Sequence, residues 1–227
     1  MGRLYVVGTP IGNLEDITLR ALEVLKKVQF IACEDTRRTL ILLNHYNLKG
    51  KKLISYYEPK ERVQVPKVLK LLEKEDVALV SDAGMPSISD PGYRLIRACV
   101  EKGIPVEVIP GPSAVLTALV GSGLPTDRFT FLGFLPRKGL EGFFEEVKAY
   151  RDNTLIAFES PNRLLKSLQA MEKVYGDYIP VCIARELTKL HEEYIRGGLK
   201  EVLEDLQKRQ EIKGEIVMLW RIEDVKP

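Results

Sequence analysis

An alternation in the first half of the chain narrows the fold more than any other feature. Five times a short apolar run ends at a Gly, Pro or acidic cluster and gives way to a stretch of helical periodicity. The runs are Leu4 to Val7, Phe30 to Cys33, Leu53 to Ser55, Val77 to Val80 and Val106 to Ile109. Between them lie Thr18 to Lys27, Thr36 to Tyr46, Val63 to Leu72 and Tyr93 to Lys102. Four of the runs are continuous enough to be strands buried on both faces. Strand and helix in turn predict an α/β domain with a five-stranded, mainly parallel sheet and right-handed crossovers.

The pattern changes after Ser113. A helix over Ser113 to Val120 precedes Gly121-Ser122-Gly123-Leu124-Pro125, a breaker-rich segment that reads as a linker, so two α/β domains are expected over 1–120 and 121–227. The second half predicts strands at Phe129 to Leu132, Leu155 to Phe158, Val181 to Ala184, Glu193 to Arg196 and Ile216 to Trp220. Its helices fall at Glu141 to Tyr150, Leu164 to Val174 and Leu199 to Lys208. Arg185 to Glu192 is too short for a helical crossover, so the strands on either side should be antiparallel and the second sheet mixed.

Composition agrees with this and excludes other classes. With 227 residues, 45% hydrophobic and 29% charged, the chain can bury a full core, and disorder, collagen and coiled coil are ruled out. A net charge of +2 means that any nucleic-acid contact rests on local patches. Cys33, Cys99 and Cys182 are odd in number and set in apolar runs, which predicts reduced core thiols. His45 and His191 are the only histidines and show no ligand spacing, so no metal site is expected. No run of ~18 apolar residues and no signal-type leader occurs, which points to a cytoplasmic protein without membrane contact.

In an open parallel sheet, ligands bind beyond the carboxyl ends of the strands. The loops there are Gly8 to Asn13, Glu34 to Arg38, Tyr56 to Pro59, Ser81 to Gly92 and Pro110 to Ala114, unusually rich in Gly and Pro. Such loops bring backbone close to a ligand and hold it rigidly. There is no GxxxxGK[ST] and no GxGxxG. A weakly charged, backbone-rich site suits an adenosine-type ligand without a polyphosphate.

The segments VVGTPIGNLEDITLRALEVL, ACEDTRRT, VSDAGMPSISDPG, PGPSA, FESPNRL and ARELTKLHEE resemble the tetrapyrrole methylase superfamily from about Leu4 to Trp220. Within it they resemble the branch that methylates the 2′-hydroxyl of a cytidine in the decoding region of small-subunit (16S) ribosomal RNA. The resemblance implies S-adenosylmethionine as methyl donor, bound in a cleft between two α/β domains, and a homodimer. Family members often carry a further short helical segment after the second domain, whereas this sequence stops at Pro227.

Carried over position by position, the resemblance puts Pro10 and Ile11 where the first loop meets the cofactor. Ala83, Gly84 and Met85 then offer backbone to the methionine portion, with Ile88 beside it. Ser113 and Ala114 start a helix whose amides suit its carboxylate, and Glu159, Arg185 and Gly214 lie near where the superfamily grips adenosine. Asp82 can either accept from the cofactor's amino group or close an Asx turn. Glu34 and Asp35 can cap the following helix, while Glu34 also matches a superfamily position used in acid-base work.

Methyl transfer to a hydroxyl oxygen is an in-line displacement in which the protein aligns the acceptor and removes its proton. A carboxylate or His191 can serve as base, and a cation beside it stabilises the developing alkoxide. Arg185 to Glu193 offers all of these types. On spacing alone it reads as a solvated surface, but the resemblance favours Glu186 and Lys189 at an RNA-facing mouth. For RNA, Arg37 and Arg38 follow a strand end, where a phosphate would approach. Lys49, Lys51, Lys52, Lys60, Arg62, Arg137 and Lys138 add charge, and Tyr56 and Tyr57 offer stacking surfaces. The small net charge points to recognition of an assembled or nearly assembled 30S subunit. Two rivals remain: a tetrapyrrole C-methyltransferase of the same fold, and a non-catalytic assembly factor that binds RNA or an adenosine ligand.

Overall fold

All ten expected strands form, in two sheets of five. The structure, a computed structural model, describes residues 1–222, so 223–227 of the expected second domain lie outside the described residues. The first unit is Met1–Ser113 and the second begins at Ala114.

In the first unit β1 (Leu4–Val7), β2 (Phe30–Cys33), β3 (Lys52–Ser55), β4 (Val77–Val80) and β5 (Val106–Ile109) lie in the order β3-β2-β4-β1-β5. Every pair is parallel. Helices α1 (Leu19–Lys27), α2 (Thr36–His45), α3 (Glu61–Leu72) and α4 (Tyr93–Glu101) cover both faces. Because side chains alternate along a strand, Tyr5, Val7, Ile31 and Cys33 pack with α1 and α2, while Leu4, Val6 and Ala32 pack with α3 and α4. Each fully buried aliphatic side chain in these layers contributes about 2 kcal/mol. Polar caps set the helix starts: the Thr18 hydroxyl accepts from the Ala21 amide at 3.1 Å, and Asp35 caps α2.

The second unit holds α5 (Ala114–Ser122), β6 (Phe129–Phe134), α6 (Leu140–Val147), β7 (Thr154–Glu159), α7 (Pro161–Tyr175), β8 (Pro180–Arg185), β9 (Glu193–Gly198), α8 (Leu199–Gln207) and β10 (Ile216–Arg221). Its sheet runs β6-β7-β10-β8-β9, parallel only between β6 and β7. The short Arg185 to Glu192 connection does join an antiparallel pair. The core here gathers Trp220, Phe144, Met171, Leu155 and Leu203.

One boundary moves. The units divide after Ser113, not after Val120, so α5 and the breaker-rich segment belong to the second unit. The cause is tertiary. Helix α5 packs on β8 and β10, and its C-terminal end is held by Arg196, whose guanidinium donates to the carbonyls of Gly121 and Ser122. Tyr194 donates to the Thr117 carbonyl at 3.1 Å and lies so close over Gly121 that a Cβ there would collide with its ring. Gly121 serves this close approach, so the chain is fixed where its Gly-rich sequence reads as a linker.

Candidate functional site

Strands β1 and β4 are neighbours, yet α1 covers one face of the first sheet and α4 the other. The chain therefore leaves β1 and β4 toward opposite faces of the sheet, and it is at such a pair of strand ends that an open parallel sheet offers a ligand its crevice. The two loops join across it: the Thr9 amide donates to the Gly84 carbonyl at 2.9 Å, and the Gly84 amide to the Thr9 carbonyl at 3.0 Å. The loop after β5 closes in from the side. A Cβ on Gly8 would stand 2.8 Å from the Cα of Gly111 and 2.7 Å from the sulfur of Met85. Gly84 takes φ +80°, with Ile11 and Pro112 within contact of any Cβ placed there. Pro10, Ile11, Ala83, Gly84 and Met85 are thus brought together, with Ile88 exposed in the same loop. A backbone-rich cradle with few charges has room for the backbone to approach a small ligand that carries no polyphosphate, and S-adenosylmethionine is one. A cavity of about 180 Å³ opens beside it, lined by Thr9, Pro10, Leu14, Arg38, Ser81 and Asp82 among others.

The acids at this edge divide by their partners. Asp35 accepts from the Arg37 amide at 2.8 Å and from the Arg37 guanidinium on both oxygens. That pairing holds its carboxyl down at about 2, so Asp35 is a helix cap and a poor proton acceptor. Asp82 makes its contacts within the protein across two strand ends. Its Oδ1 accepts the Asp35 amide at 2.9 Å, tying the β4 end to the start of α2, and Arg38 lies 3.6 Å from Oδ2. Glu34 is half-buried, and burial followed by the Asp82 charge pushes its carboxyl up. Asp90, absent from the sequence-based candidates, is pushed to about 6 by burial and then by the Glu34 charge. Nothing local in Ser89-Asp90-Pro91 signals this; Glu34 reaches it from the loop after β2 and Asp82 from the far end of its own loop.

In the second unit Glu186 and Lys189 are brought together in a network. Glu186 takes φ +52° and its Oε1 accepts from the Glu215 amide at 2.8 Å and from the Lys189 ammonium at 3.0 Å. Lys189 also lies 3.1 Å from Glu215. Burial acts to raise the Glu186 carboxyl, but the Glu215 amide and Lys189 outweigh it and hold it low. Burial likewise disfavours the Lys189 charge, and its two carboxylates outweigh that and raise it. Lys189 is therefore a fixed ammonium, suited to stabilising charge. Gly214, at φ +97°, backs onto Glu186, and a Cβ there would collide with the Glu186 side chain. Arg185 pairs with Glu193 at 2.5 Å and donates to the carbonyls of Lys213 and His191. His191 itself is exposed.

Glu159 is committed to the fold. It is 4% exposed, its oxygens accepting from the Ser160 amide and Ser167 hydroxyl, with Arg163 at 3.2 Å. Ser113 and Ala114 fall at the division between units, and α5 begins at Ala114.

The expected RNA residues also divide. Arg37, Arg38, Arg137 and Lys138 are exposed, as are Lys49, Lys52, Lys60 and Arg62. Tyr57 is half-buried with Lys60 over its ring at 5.2 Å. Tyr56 is no stacking surface: it is 1% exposed and donates to buried Glu61. Lys51 is no RNA contact either, since its ammonium donates to the carbonyls of Lys26 and Val28 and so closes the end of α1. The three cysteines are free and buried. Among the described residues no group of three or more His, Cys, Asp or Glu is placed to hold a metal ion, and no helix is long and apolar enough to cross a membrane.

The profile of the tetrapyrrole (corrin/porphyrin) methylases matches residues 3–203. A protein of Hydrogenobaculum sp. named ribosomal RNA small subunit methyltransferase I is 62% identical over 96% of this chain and 94% of its own length. Its namesake from Thermotoga maritima is 48% identical, covering 96% and 98%, and that from Halalkalibacterium halodurans 47% identical, covering 96% and 75%. Relatives thus occur both at this length and longer. Among solved structures, uroporphyrin-III C-methyl transferase from Thermus thermophilus complexed with S-adenosyl homocysteine superposes with a TM-score of 0.66 at 23% identity, covering 96% and 97%. Diphthine synthase does so at 0.76 and 16%, covering 97% and 90%. These last two likenesses speak to the fold.

Proposed function

Since the chain belongs to the tetrapyrrole methylase family, we propose that this S-adenosylmethionine-dependent methyltransferase modifies the 2′-hydroxyl of a cytidine in the decoding region of small-subunit ribosomal RNA. Its setting is the cytoplasm, its form a homodimer, and its substrate an assembled or nearly assembled 30S subunit. The observation that carries this reading is the 62% identity, over nearly the whole chain, to a protein named for methylating that RNA.

When bound, S-adenosylmethionine supplies an electrophilic methyl group on its sulfonium. The chain's own residues do the rest. Pro10, Ile11 and the Ala83 to Met85 backbone hold the donor, braced by the Thr9–Gly84 bridge and by the close approach of Gly8 to Gly111. Glu34, not Asp35, is the acid-base group at that edge, because Arg37 already occupies both Asp35 oxygens while burial raises the Glu34 carboxyl. Lys189, kept protonated by Glu186 and Glu215, stabilises the oxygen as its proton leaves. Arg185 and Gly214 keep that loop in shape, and Arg37 and Arg38 take RNA phosphates.

Labelled S-adenosylmethionine mixed with methylation-deficient small subunits, and separately with bare RNA, tests the reading. Label is expected in RNA, at a ribose whose 3′ phosphodiester has become resistant to alkali. Absence of label from the RNA in both mixtures would overturn it. Lys189→Ala should lower the single-turnover rate at least about tenfold while calorimetric affinity for the donor stays unchanged.

A further inference from the structure

A second concave site lies wholly within the second unit, where the β6–α6 connection and the first turn of α6 face α7 across a cavity of about 640 Å³. Its volume is in the range of pockets that hold nucleotide-sized groups. Its charge is lopsided, with four cations against two carboxylates. Lys173 is already paired with Glu141 at 2.7 Å. The side chains of Arg137, Lys138 and Lys166 engage no hydrogen bond or ion pair among the described residues, and all three are exposed. Surface lysines are usually scattered or paired; here two consecutive residues of a loop and one from a facing helix line one cavity, with Glu172 as the carboxylate left to offset three positive charges.

The wall is rigid on both sides. Arg163 donates to the carbonyls of Pro136 at 2.5 Å and Leu135 at 3.4 Å, and is itself anchored 3.2 Å from buried Glu159. The backbone just before Arg137 is therefore pinned to α7. Lys166 sits three residues after Arg163, and Gln169 three after that, on one helical stripe facing the cavity. The backbone that carries Arg137 and Lys138 is thus held against the helix that carries Lys166 before any ligand arrives, so only their side chains must be ordered on binding.

We infer that this pocket takes the phosphodiester backbone of the RNA substrate, with Arg137, Lys138 and Lys166 contacting phosphates. The inference rests on the proposed ribosomal RNA acceptor and adds to it a second holding point, in which Lys166 is a residue that sequence alone did not single out. Contacts of this kind position RNA by charge and shape, without reading bases.

Binding of the intact protein to a labelled small-subunit RNA fragment, titrated across salt concentrations, tests it. The variant carrying Arg137→Gln, Lys138→Gln and Lys166→Gln should bind at least about tenfold more weakly near 0.1 M salt, and its salt slope should fall by roughly 0.7 for each phosphate no longer neutralised. Lys166→Gln alone should remove one such step. Lys200→Gln, elsewhere on the same unit, should leave the slope unchanged, and donor affinity should be equal in all variants. An unchanged slope in the triple variant, or an equal fall in Lys200→Gln, would overturn the inference while methyl incorporation by the parent protein leaves the acceptor reading standing. Absence of RNA binding and of incorporation by the parent would overturn both.

Discussion

The loops around Thr9 and Gly84 and the segment from Arg185 to Glu193 both present polar groups at the end of a sheet, and they are stabilised in opposite ways. In the first unit backbone meets backbone: Gly8 against Gly111, Thr9 bridged to Gly84, with little charge among them. In the second, ions hold the loop: Glu186 gathers Lys189 and the Glu215 amide, and Arg185 gathers Glu193 and two carbonyls. A backbone cradle has no side chain to swing away, so it tolerates no added volume. An ionic loop can adjust its side chains, yet it depends on each charge having its partner. The first arrangement suits holding one small molecule closely, and the second suits placing a charge where an anionic substrate reacts.

The contrast can be broken by experiment. The largest expected effect is where backbone meets backbone: Gly8→Ala should cost about 3 kcal/mol in urea unfolding, because the new Cβ meets main-chain atoms of Gly111 that cannot move aside. A cost below about 1 kcal/mol would mean that the cradle yields to added volume. Gly214→Ala should cost less, about 2 kcal/mol, from positive φ and the Glu186 side chain together. In a Glu186→Gly background, which also suits the φ of that position, the steric share should vanish. An undiminished cost there would place the strain in the backbone alone.

Next comes pH. Asp90 titrates near 3.8 when unfolded and at about 6 when folded, so folding takes up a proton between those values. Stability should fall as pH rises through that window, and the penalty should be fully present above it. Asp90→Asn should then stabilise the protein at pH 8 by about 1 kcal/mol, a figure reduced for partial exposure, and have no effect below pH 4. Equal melting shifts at both pH values would mean that the Asp90 charge carries no such penalty. The smallest effect on folding belongs to Arg37, whose side chain is 87% exposed. Arg37→Ala should change stability by less than about 0.5 kcal/mol while weakening RNA binding and lowering the salt slope by roughly 0.7.

What the amino-acid order determined by itself was the local part. Apolar runs of four to six residues bounded by Gly, Pro and acids specify strands, and the Thr18 and Asp35 caps mark helix starts, because these preferences act within a few residues. The Arg185 to Glu192 connection foretold an antiparallel pair for the same reason: chain length limits reach. The converging loops were legible too, since parallel strands must end together. Tertiary structure decided whatever depends on partners distant in sequence. Tyr56 is buried because Glu61 and the α3–α4 layer surround it, and Lys51 is spent on the end of α1. Gly121 fixes α5 beneath Tyr194, although its neighbours in sequence read as a linker. Asp82 holds Asp35 across two neighbouring strands, Asp90 has its proton affinity set by burial and by Glu34, and Lys166 meets Arg137 only because α7 packs beside α6. Burial and charge act through space, so a residue's ionisation and its availability to a ligand are settled only when the fold supplies its neighbours.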